Sequence, residues 1–395
     1  MEPSRAIPAL LFAVVLAAYA YFAPFIGFEG ANVNSRFNLT YAIAEQGTLS
    51  IDAYHENTGD KAWHGGHYYS DKAPGPSLAA VPVYWLLKRA GVDEEPLMRH
   101  GLTLSVVGLP SAIAAVLFYT LLGLLTPLGR GLRAAATLAY ALGTLVFPFS
   151  TVFYGHAPAA AGSLAAFCLL AAMRQGALPR RLPLAALAGL LAGGAVLCDY
   201  PALLLTGLLT GYAAAALRAP RHLAAWLAGA AVPLGLLLAY NHRCFGHPLA
   251  SAYAWHVSYA HSQGVLGVGW PRLTALWGIT FSPYRGLFHQ SPFLIAALPG
   301  AWMLLRRRGV RAAAAERDGG WRRGTWRVFS RKEPPYFSRK EHPYFSRTPR
   351  RGKPLLSPEK VKLGHRLAWP LPGTRLRGRG EGGEREGERA VGDGG

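Results

Sequence analysis

The sequence predicts an all-α polytopic membrane protein with about eight transmembrane helices, a large first loop on the outer face that contains juxtamembrane helices, and a disordered C-terminal tail. Of the 395 residues, 51% are hydrophobic and 16% are charged, a balance too apolar for an ordinary soluble domain. Apolar runs close to the roughly 20 residues that cross a bilayer recur along the chain. We therefore expect residues 1–311 to form a transmembrane domain.

The apolar runs define the predicted spans. The first lacks a small-x-small cleavage site and is followed by further spans, so we interpret it as an uncleaved helix and not as a signal peptide. Leu78–Leu87 is only about ten residues long, and with Trp85 and Lys88 it predicts a helix lying in the membrane interface. The predicted spans are Ile7–Gly27, Leu102–Leu125, Leu132–Val152, Ala157–Met173, Pro183–Cys198, Tyr200–Leu217, His222–Tyr240 and Pro292–Leu305.

Basic residues in the short connections predict the orientation. If Leu78–Leu87 does not cross, every connection that contains arginine lies on one side, and the connections at Phe153–His156 and Asp199, which have no Lys or Arg, lie on the other. If it does cross, the order inverts. We take the first case, in which Leu78–Leu87 does not cross. The positive-inside rule then places the N-terminus and the tail in the cytoplasm, with the long loops at 28–101 and 241–290 outside.

The segment 312–395 differs in composition from the rest. From Arg306 onward the chain has 24 Lys/Arg and 10 Asp/Glu, so +14 of the net charge of +20 lies there. An eight-residue repeat marked by Phe329, Phe337 and Phe345 is interrupted by prolines and predicts disorder. A basic tail of this kind could touch anionic lipid or nucleic acid, or it could be an unrelated C-terminus such as a frameshifted or truncated gene end. We expect membrane lipid as a partner and no nucleic acid.

The loop at 28–101 is the long polar segment between the first spans. Phe37, Tyr41 and Ala44 share one face of a predicted helix, and Gly47 is expected to end it. The alternation of apolar and polar residues over 49–53 then predicts an extended strand. The remainder of the loop is polar and ends at a Pro-Gly pair before the interfacial helix.

Charged residues of the two long loops predict a site on the outer face. The loop at 241–290 contains Arg285 but no Asp or Glu, so a general base must come from the first loop or from Asp199. Asp71 is the first candidate, because the neighbouring Lys72 could bind a phosphate and keep the carboxylate ionised. Asp60 is the second. We therefore expect the first loop to supply the carboxylate that acts as base, and the second loop to supply guanidinium groups that hold an anion.

Each of these residues also has a structural interpretation. Asp71 and Lys72 could form a local ion pair that contributes little to stability. Asp199 could cap a helix, and His156 could simply end a hairpin. His64 and His67, with a further histidine at position 55, could bind a divalent metal, but histidines in a solvated loop are more often only polar. Three scattered cysteines predict neither a disulfide framework nor a metal site. We assign no metal ligand and no certain cofactor, and a divalent metal remains an open alternative.

Two segments of the first loop carry a family resemblance. Ser35-Arg36-Phe37 with Ala42–Gly47, followed by Trp63 and the turn Gly66–Pro74, resembles the first outer loop of bacterial GT-C glycosyltransferases of the protein O-mannosyltransferase-like and aminoarabinose-transferase-like families. The resemblance covers about 7–305. It implies a polyprenyl-phosphate-linked sugar as donor, transfer on the outer face of the bacterial inner membrane, and a protein, glycan or lipid of the envelope as acceptor.

The resemblance also implies roles for individual residues and shows two departures. Arg36, Tyr69 and Lys72 are expected near the donor phosphate; further candidates for substrate binding are His67, His156, Asp199 and Arg285. The family's acidic residue before the Arg-aromatic helix is replaced by Asn32-Val33-Asn34, and its second acidic position is occupied by His156. We therefore expect a glycosyltransferase or, alternatively, an inactive membrane protein that only binds the lipid-phosphate sugar. A transporter is favoured less, because no Gly/Pro-broken helices recur in matching halves.

Overall fold

Helices account for most of the computed structural model, which describes residues 3–23, 30–257, 272–303 and 306. The all-α prediction is confirmed at this level. The α-helices are α1 (Pro3–Phe22), α2 (Ala31–Tyr41), α3 (Gly75–Arg89), α4 (Glu95–Thr103), α5 (Leu109–Leu125), α6 (Arg130–Leu142), α7 (Val146–Ser150), α8 (His156–Gln175), α9 (Leu182–Cys198), α10 (Ala202–Leu217), α11 (Pro220–Phe245), α12 (Leu273–Thr280) and α13 (Leu287–Gln290). The strands are β1 (Lys61–His64) and β2 (His67–Ser70). The predicted tail at 312–395 lies outside the described residues.

Among the residues that the structure describes, three helices are long and apolar enough to cross a membrane. They are Glu95–Leu125, which joins α4 and α5 through a wider turn, His156–Gln175 and Pro220–Phe245. Shorter apolar helices cover Ala6–Phe22, Leu182–Cys198, Ala202–Leu217 and Pro292–Met303. The protein thus has a helical, apolar body, and the count of about eight spans stays a prediction.

The predicted span Leu132–Val152 is interrupted in the structure. Helix α6 ends at Leu142, the chain bends through Gly143 and Thr144, and the short helix α7 follows with Pro148 inside it. Proline removes a backbone donor and does not favour the interior of a helix. An apolar run of spanning length therefore folds as two helical pieces.

Helices α9 and α11 pack backbone against backbone through small residues. A Cβ atom on Gly189 would lie 1.9 Å from the carbonyl oxygen of Trp226, and one on Gly229 would lie 1.9 Å from that of Ala186. Glycine allows helices to approach this closely, a common way of packing apolar helices. This contact fixes the position of α9, and the candidate site is built at the C-terminal end of that helix.

The first loop folds on helix α2 as predicted, with one correction. Gly47 ends this helical segment in the left-handed conformation, with φ of +67°, but the predicted strand at 49–53 is wrong. The strands lie later, joined by Gly65 and Gly66 with φ of +59° and +86°. Two consecutive residues with positive φ make a two-residue hairpin turn that glycine favours. The Gly-Gly pair was the signal for this hairpin.

Helix α2 is buried on nearly every side, and its core joins the first loop to the apolar helices. Phe37 stacks on Phe153 with ring centroids 4.3 Å apart, and the same core includes Tyr84 and Leu102. On its polar side Ser35 Oγ lies 2.8 Å from Ser70 Oγ, a hydrogen bond to the end of β2. The hairpin and the start of α3 are therefore held in fixed positions relative to α2.

Candidate functional site

Two glycines bring the candidate residues together at the C-terminal end of α9. A Cβ atom on Gly75, at the start of α3, would lie 2.6 Å from the carbonyl oxygen of Leu197; one on Gly155, just before α8, would lie 2.0 Å from that of Cys198. Only residues without a side chain fit at such distances. The start of α3 and the start of α8 therefore both lie against the last two residues of α9, immediately before Asp199.

One cluster joins three charged residues of the first loop. The Lys72 ammonium donates to Asp71 Oδ2 at 2.9 Å and to Asp60 Oδ2 at 2.8 Å. His256 Nε2 lies 3.4 Å from Asp71 Oδ2 and 4.0 Å from Asp60 Oδ1. The side chains of Asp71 and His256 are each only 1% exposed. We call these four residues the acid–lysine cluster.

Burial and ion pairing set the charge states in the acid–lysine cluster. Burial raises the pKa of the Asp71 carboxyl, but the hydrogen bond from His256 and the charge of Lys72 outweigh it and hold that pKa below its ordinary value. Burial lowers the pKa of the Lys72 ammonium, but its two carboxylate partners outweigh burial and hold that pKa above its ordinary value. Both residues are therefore charged at neutral pH, and Asp71 is a weak proton acceptor.

Arg36 places a second buried cation beside this cluster. The residue is 3% exposed, and its guanidinium donates from Nη1 to the carbonyl oxygen of Ala73 at 2.9 Å and from Nε to Asn32 Oδ1 at 3.1 Å. Burial lowers the pKa of Arg36, while the charges of Asp199 and Asp71 act to raise it. Arg36 is thus within electrostatic reach of both carboxylates.

A second acid–base pair lies near Arg36. His156 Nδ1 lies 2.5 Å from Asp199 Oδ2, and their side chains are 46% and 20% exposed. His156 also lines a cavity of about 240 Å³. The other lining residues are almost all apolar: Ser111, Ala114, Tyr140, Leu145, Val146, Phe149, Ala157, Ala160 and Ala161. Unlike the acid–lysine cluster, this pair is reachable from outside the protein.

The structure groups six of the nine predicted site residues and leaves three apart. Asp60, Asp71 and Lys72 share the acid–lysine cluster, Asp199 and His156 form one pair, and Arg36 contacts the backbone beside each group, at Ala73 and near Gly155. His67 instead pairs with Asp52, with 2.7 Å between His67 Nδ1 and Asp52 Oδ2. Tyr69 packs on Phe245, and the Arg285 guanidinium lies over the ring of its neighbour Tyr284, 5.1 Å from the ring centroid. The substrate-binding roles expected of these three stay predictions.

Sequence reasoning missed His256 and Tyr253, which come from the second long loop. The backbone at His256 bridges to Ala62 of β1, which carries its imidazole into the acid–lysine cluster. Burial raises the pKa of Tyr253, and the charges of Lys72, Asp71 and Arg36 also act on it, so its hydroxyl lies within electrostatic reach of these residues. Neither residue belongs to a motif, and each is more than 180 residues away in the chain from the first-loop residues named here. No local pattern could have found them.

The arrangement bears on the open question of a divalent metal. The three histidines considered for a metal do not gather: His55 stacks on Tyr68, and His64 lies against Trp255. In the part of the chain that the structure describes, the set with metal-ligating geometry is Asp60, Asp71 and His256, whose ligand atoms lie within 4.8 Å of one another. Lys72 already donates to both of these carboxylates and supplies a positive charge between them.

Comparisons with known proteins give no identification. The chain matches no protein-family model, no curated protein and no solved structure. What the fold and the site define is therefore a class: a helical protein that has, among its described residues, three helices long and apolar enough to cross a membrane and two groups of paired charged side chains.

Proposed function

We propose that this protein is a bacterial inner-membrane glycosyltransferase of the GT-C type that moves a sugar from a polyprenyl phosphate to an acceptor on the outer face. The observation that carries the proposal is a buried guanidinium, Arg36, close to the backbone beside the His156–Asp199 pair, with His156 lining an apolar cavity. Lys72 and Arg36 are 12% or less exposed, and the cavity lined by His156 is almost wholly apolar. A lipid phosphate has this combination of anion and hydrocarbon.

The reaction requires both an electrostatic and a proton-transfer function. The acceptor hydroxyl oxygen attacks the anomeric carbon, the bond from that carbon to the phosphate oxygen breaks, and the phosphate leaves with the electron pair. Fixed cations stabilise the charge that develops on the leaving phosphate, a role for Arg36. The proton lost by the acceptor passes to a nearby base. The acceptor is a protein or an envelope glycan or lipid.

The proposed topology has about eight spans, with the N-terminus and the tail in the cytoplasm. In a variant lacking Cys168, Cys198 and Cys244, a cysteine introduced at exposed Glu56 should react with a membrane-impermeant maleimide applied to the outer face. A cysteine introduced at exposed Arg181 should react only after the membrane is opened. The basic connections support this expectation, because cytoplasmic loops are enriched in Lys and Arg. Labelling of both positions from one side would contradict the topology.

The enzyme assay is release or transfer of sugar by the purified protein supplied with polyprenyl-phosphate sugars. The wild type should release sugar, and Arg36→Lys should weaken donor binding by about 10- to 150-fold, because a buried charge-assisted hydrogen bond contributes about 1.5–3 kcal/mol. Lysine keeps the charge but loses the planar fork. Arg89→Lys, at an exposed position at the end of α3, is the matched control and should bind donor normally.

A second candidate function is binding of the lipid-phosphate sugar without transfer. At the position of the family's acidic residue, Asn34 is engaged structurally: its Nδ2 donates to the carbonyl oxygen of Asn57 at 2.9 Å, and its Oδ1 accepts from Arg99 at 3.0 Å. An amide in these contacts cannot serve as a general base. Donor binding by the wild type without sugar release would favour this second function.

A further inference from the structure

We propose that the His156–Asp199 pair is the base of the transfer reaction, with His156 Nε2 as the atom that accepts the proton of the acceptor hydroxyl. This inference rests on the proposed function and names the residue that performs its proton transfer. It differs from the expectation drawn from the sequence, in which Asp71 or Asp60 was the base.

The hydrogen bond between the two side chains selects the reactive nitrogen. His156 Nδ1 lies 2.5 Å from a carboxylate oxygen of Asp199, and an ionised carboxylate can only accept. The proton of the neutral imidazole therefore resides on Nδ1, and Nε2 has a lone pair. No described residue hydrogen-bonds Nε2. The carboxylate also fixes the ring and stabilises the imidazolium that forms, as it does wherever a carboxylate orients a catalytic histidine.

Accessibility distinguishes this pair from the carboxylates of the acid–lysine cluster. The His156 side chain is 46% exposed, whereas that of Asp71 is 1% exposed and that of Asp60 is 14% exposed. Both carboxylates already accept from Lys72. A base must come within hydrogen-bond reach of the proton that it takes. His156 meets this condition without any change in the packing of the site.

The position of the pair in the fold suits the transfer. His156 lines the apolar cavity, while Arg36 Nη2 would lie 3.1 Å from a Cβ atom on the adjacent Gly155. A lipid chain in the cavity would bring its phosphate next to both His156 and Arg36. The accepted proton then moves from Nε2 to solvent through the exposed edge of the ring. Asp199 keeps its charge throughout, and Arg36 remains the counter-ion of the phosphate.

The decisive experiment compares His156→Gln with His156→Ala in the full-length protein, using a polyprenyl-phosphate sugar as donor. Gln can still hydrogen-bond to Asp199 but cannot take a proton, so turnover should fall on the order of 10²- to 10⁴-fold with donor Kd unchanged. Added imidazole should restore part of the turnover of His156→Ala, because the free base can enter the space left by the ring. His247→Gln, at an exposed loop histidine, is the matched control and should retain full turnover.

Each outcome decides the inference. Turnover of His156→Gln within about tenfold of the wild type would overturn it, and so would a loss that appears in donor Kd. A loss of turnover that imidazole does not restore in His156→Ala would assign His156 a structural role and would also overturn it. Absence of sugar release by the wild type is a different result, because it removes the proposed function itself.

Discussion

Replacing Lys72 by Met is expected to lower the free energy of unfolding by about 3–5 kcal/mol, the usual loss when one partner of a buried ion pair is removed. Lys72 donates to both Asp60 and Asp71, and all three side chains are 14% or less exposed. Methionine would fill the space but leave two buried carboxylates without a cation. The measurement is thermal or denaturant unfolding of the purified protein in detergent.

The matched control for this prediction is Lys88→Met. Lys88 Nζ lies 3.0 Å from Asp93 Oδ1, but the two side chains are 39% and 79% exposed. Exposed ion pairs contribute about 0–1 kcal/mol, so this variant should unfold nearly as the wild type does. Equal stability of Lys72→Met and Lys88→Met would show that the acid–lysine cluster is not the buried network described here.

Lys72→Met should also change how the free energy of unfolding depends on pH. In the wild type the pKa of Asp71 is lowered on folding, so its contribution is present above the unfolded pKa of about 4 and is lost as pH falls through the folded value. The pKa of Lys72 is raised, so its contribution is lost only as pH rises through a folded value above about 10.4. In Lys72→Met the two neighbouring carboxylates, Asp60 and Asp71, repel each other. The folded variant therefore binds a proton on one of them more readily than the unfolded variant does. Lowering the pH from 7 to 5 should then stabilise the variant.

Replacing Gly155 by Ala is expected to reduce sugar transfer on the order of 10²-fold, the effect of misplacing reacting groups by about 1 Å. The added Cβ would lie 2.0 Å from the carbonyl oxygen of Cys198, a backbone atom that cannot rotate away. The start of α8 would have to move away from the end of α9, which separates His156 from Asp199. Overpacking of this kind also costs about 1–3 kcal/mol of stability.

Gly194→Ala tests whether that effect is local to the site. Gly194 lies on α9 as well, but a Cβ atom there would meet nothing within 4 Å. This variant should transfer sugar at the wild-type rate and unfold no more easily than the wild type. If Gly155→Ala behaved like Gly194→Ala, the close approach of α8 and α9 would have no part in the reaction.

The helical body and the first loop illustrate what local patterns predict. The apolar runs of the sequence correspond to helices because the hydrophobic pattern is local and repeated. The end of the first-loop helix at Gly47 was also predicted, since a glycine with positive φ commonly ends a helix. The break in Leu132–Val152 was not predicted. The prediction rested on the apolar composition of the segment, which does not reveal the bend at Gly143 and Thr144. The hairpin was missed because apolar and polar residues alternate at 49–53, and the strand was predicted there instead of at 61–70.

In the candidate site, too, local patterns identified some of the residues but not how they pair. Asp71, Asp60 and Lys72 stood out because charged residues are scarce in this chain and lie close together in one loop. His156 and Asp199 were each noticed singly, but nothing in the sequence joins residues 43 positions apart. His256 was not noticed at all. The pairing of these residues depends on where glycine lets one backbone approach another, which is a property of the packed helices.

The sequence by itself therefore determined the class of fold, the polar character of the first loop and the charged residues that could perform chemistry, since composition and periodicity are local properties of the chain. The tertiary structure alone decided which of those residues meet and which of them solvent can reach. Asp71 became buried against Lys72 and His256, whereas His156 came to lie beside Asp199 with nearly half of its side chain exposed. Burial and pairing fix whether a carboxylate or an imidazole can accept a proton, and both arise only from contacts between distant segments.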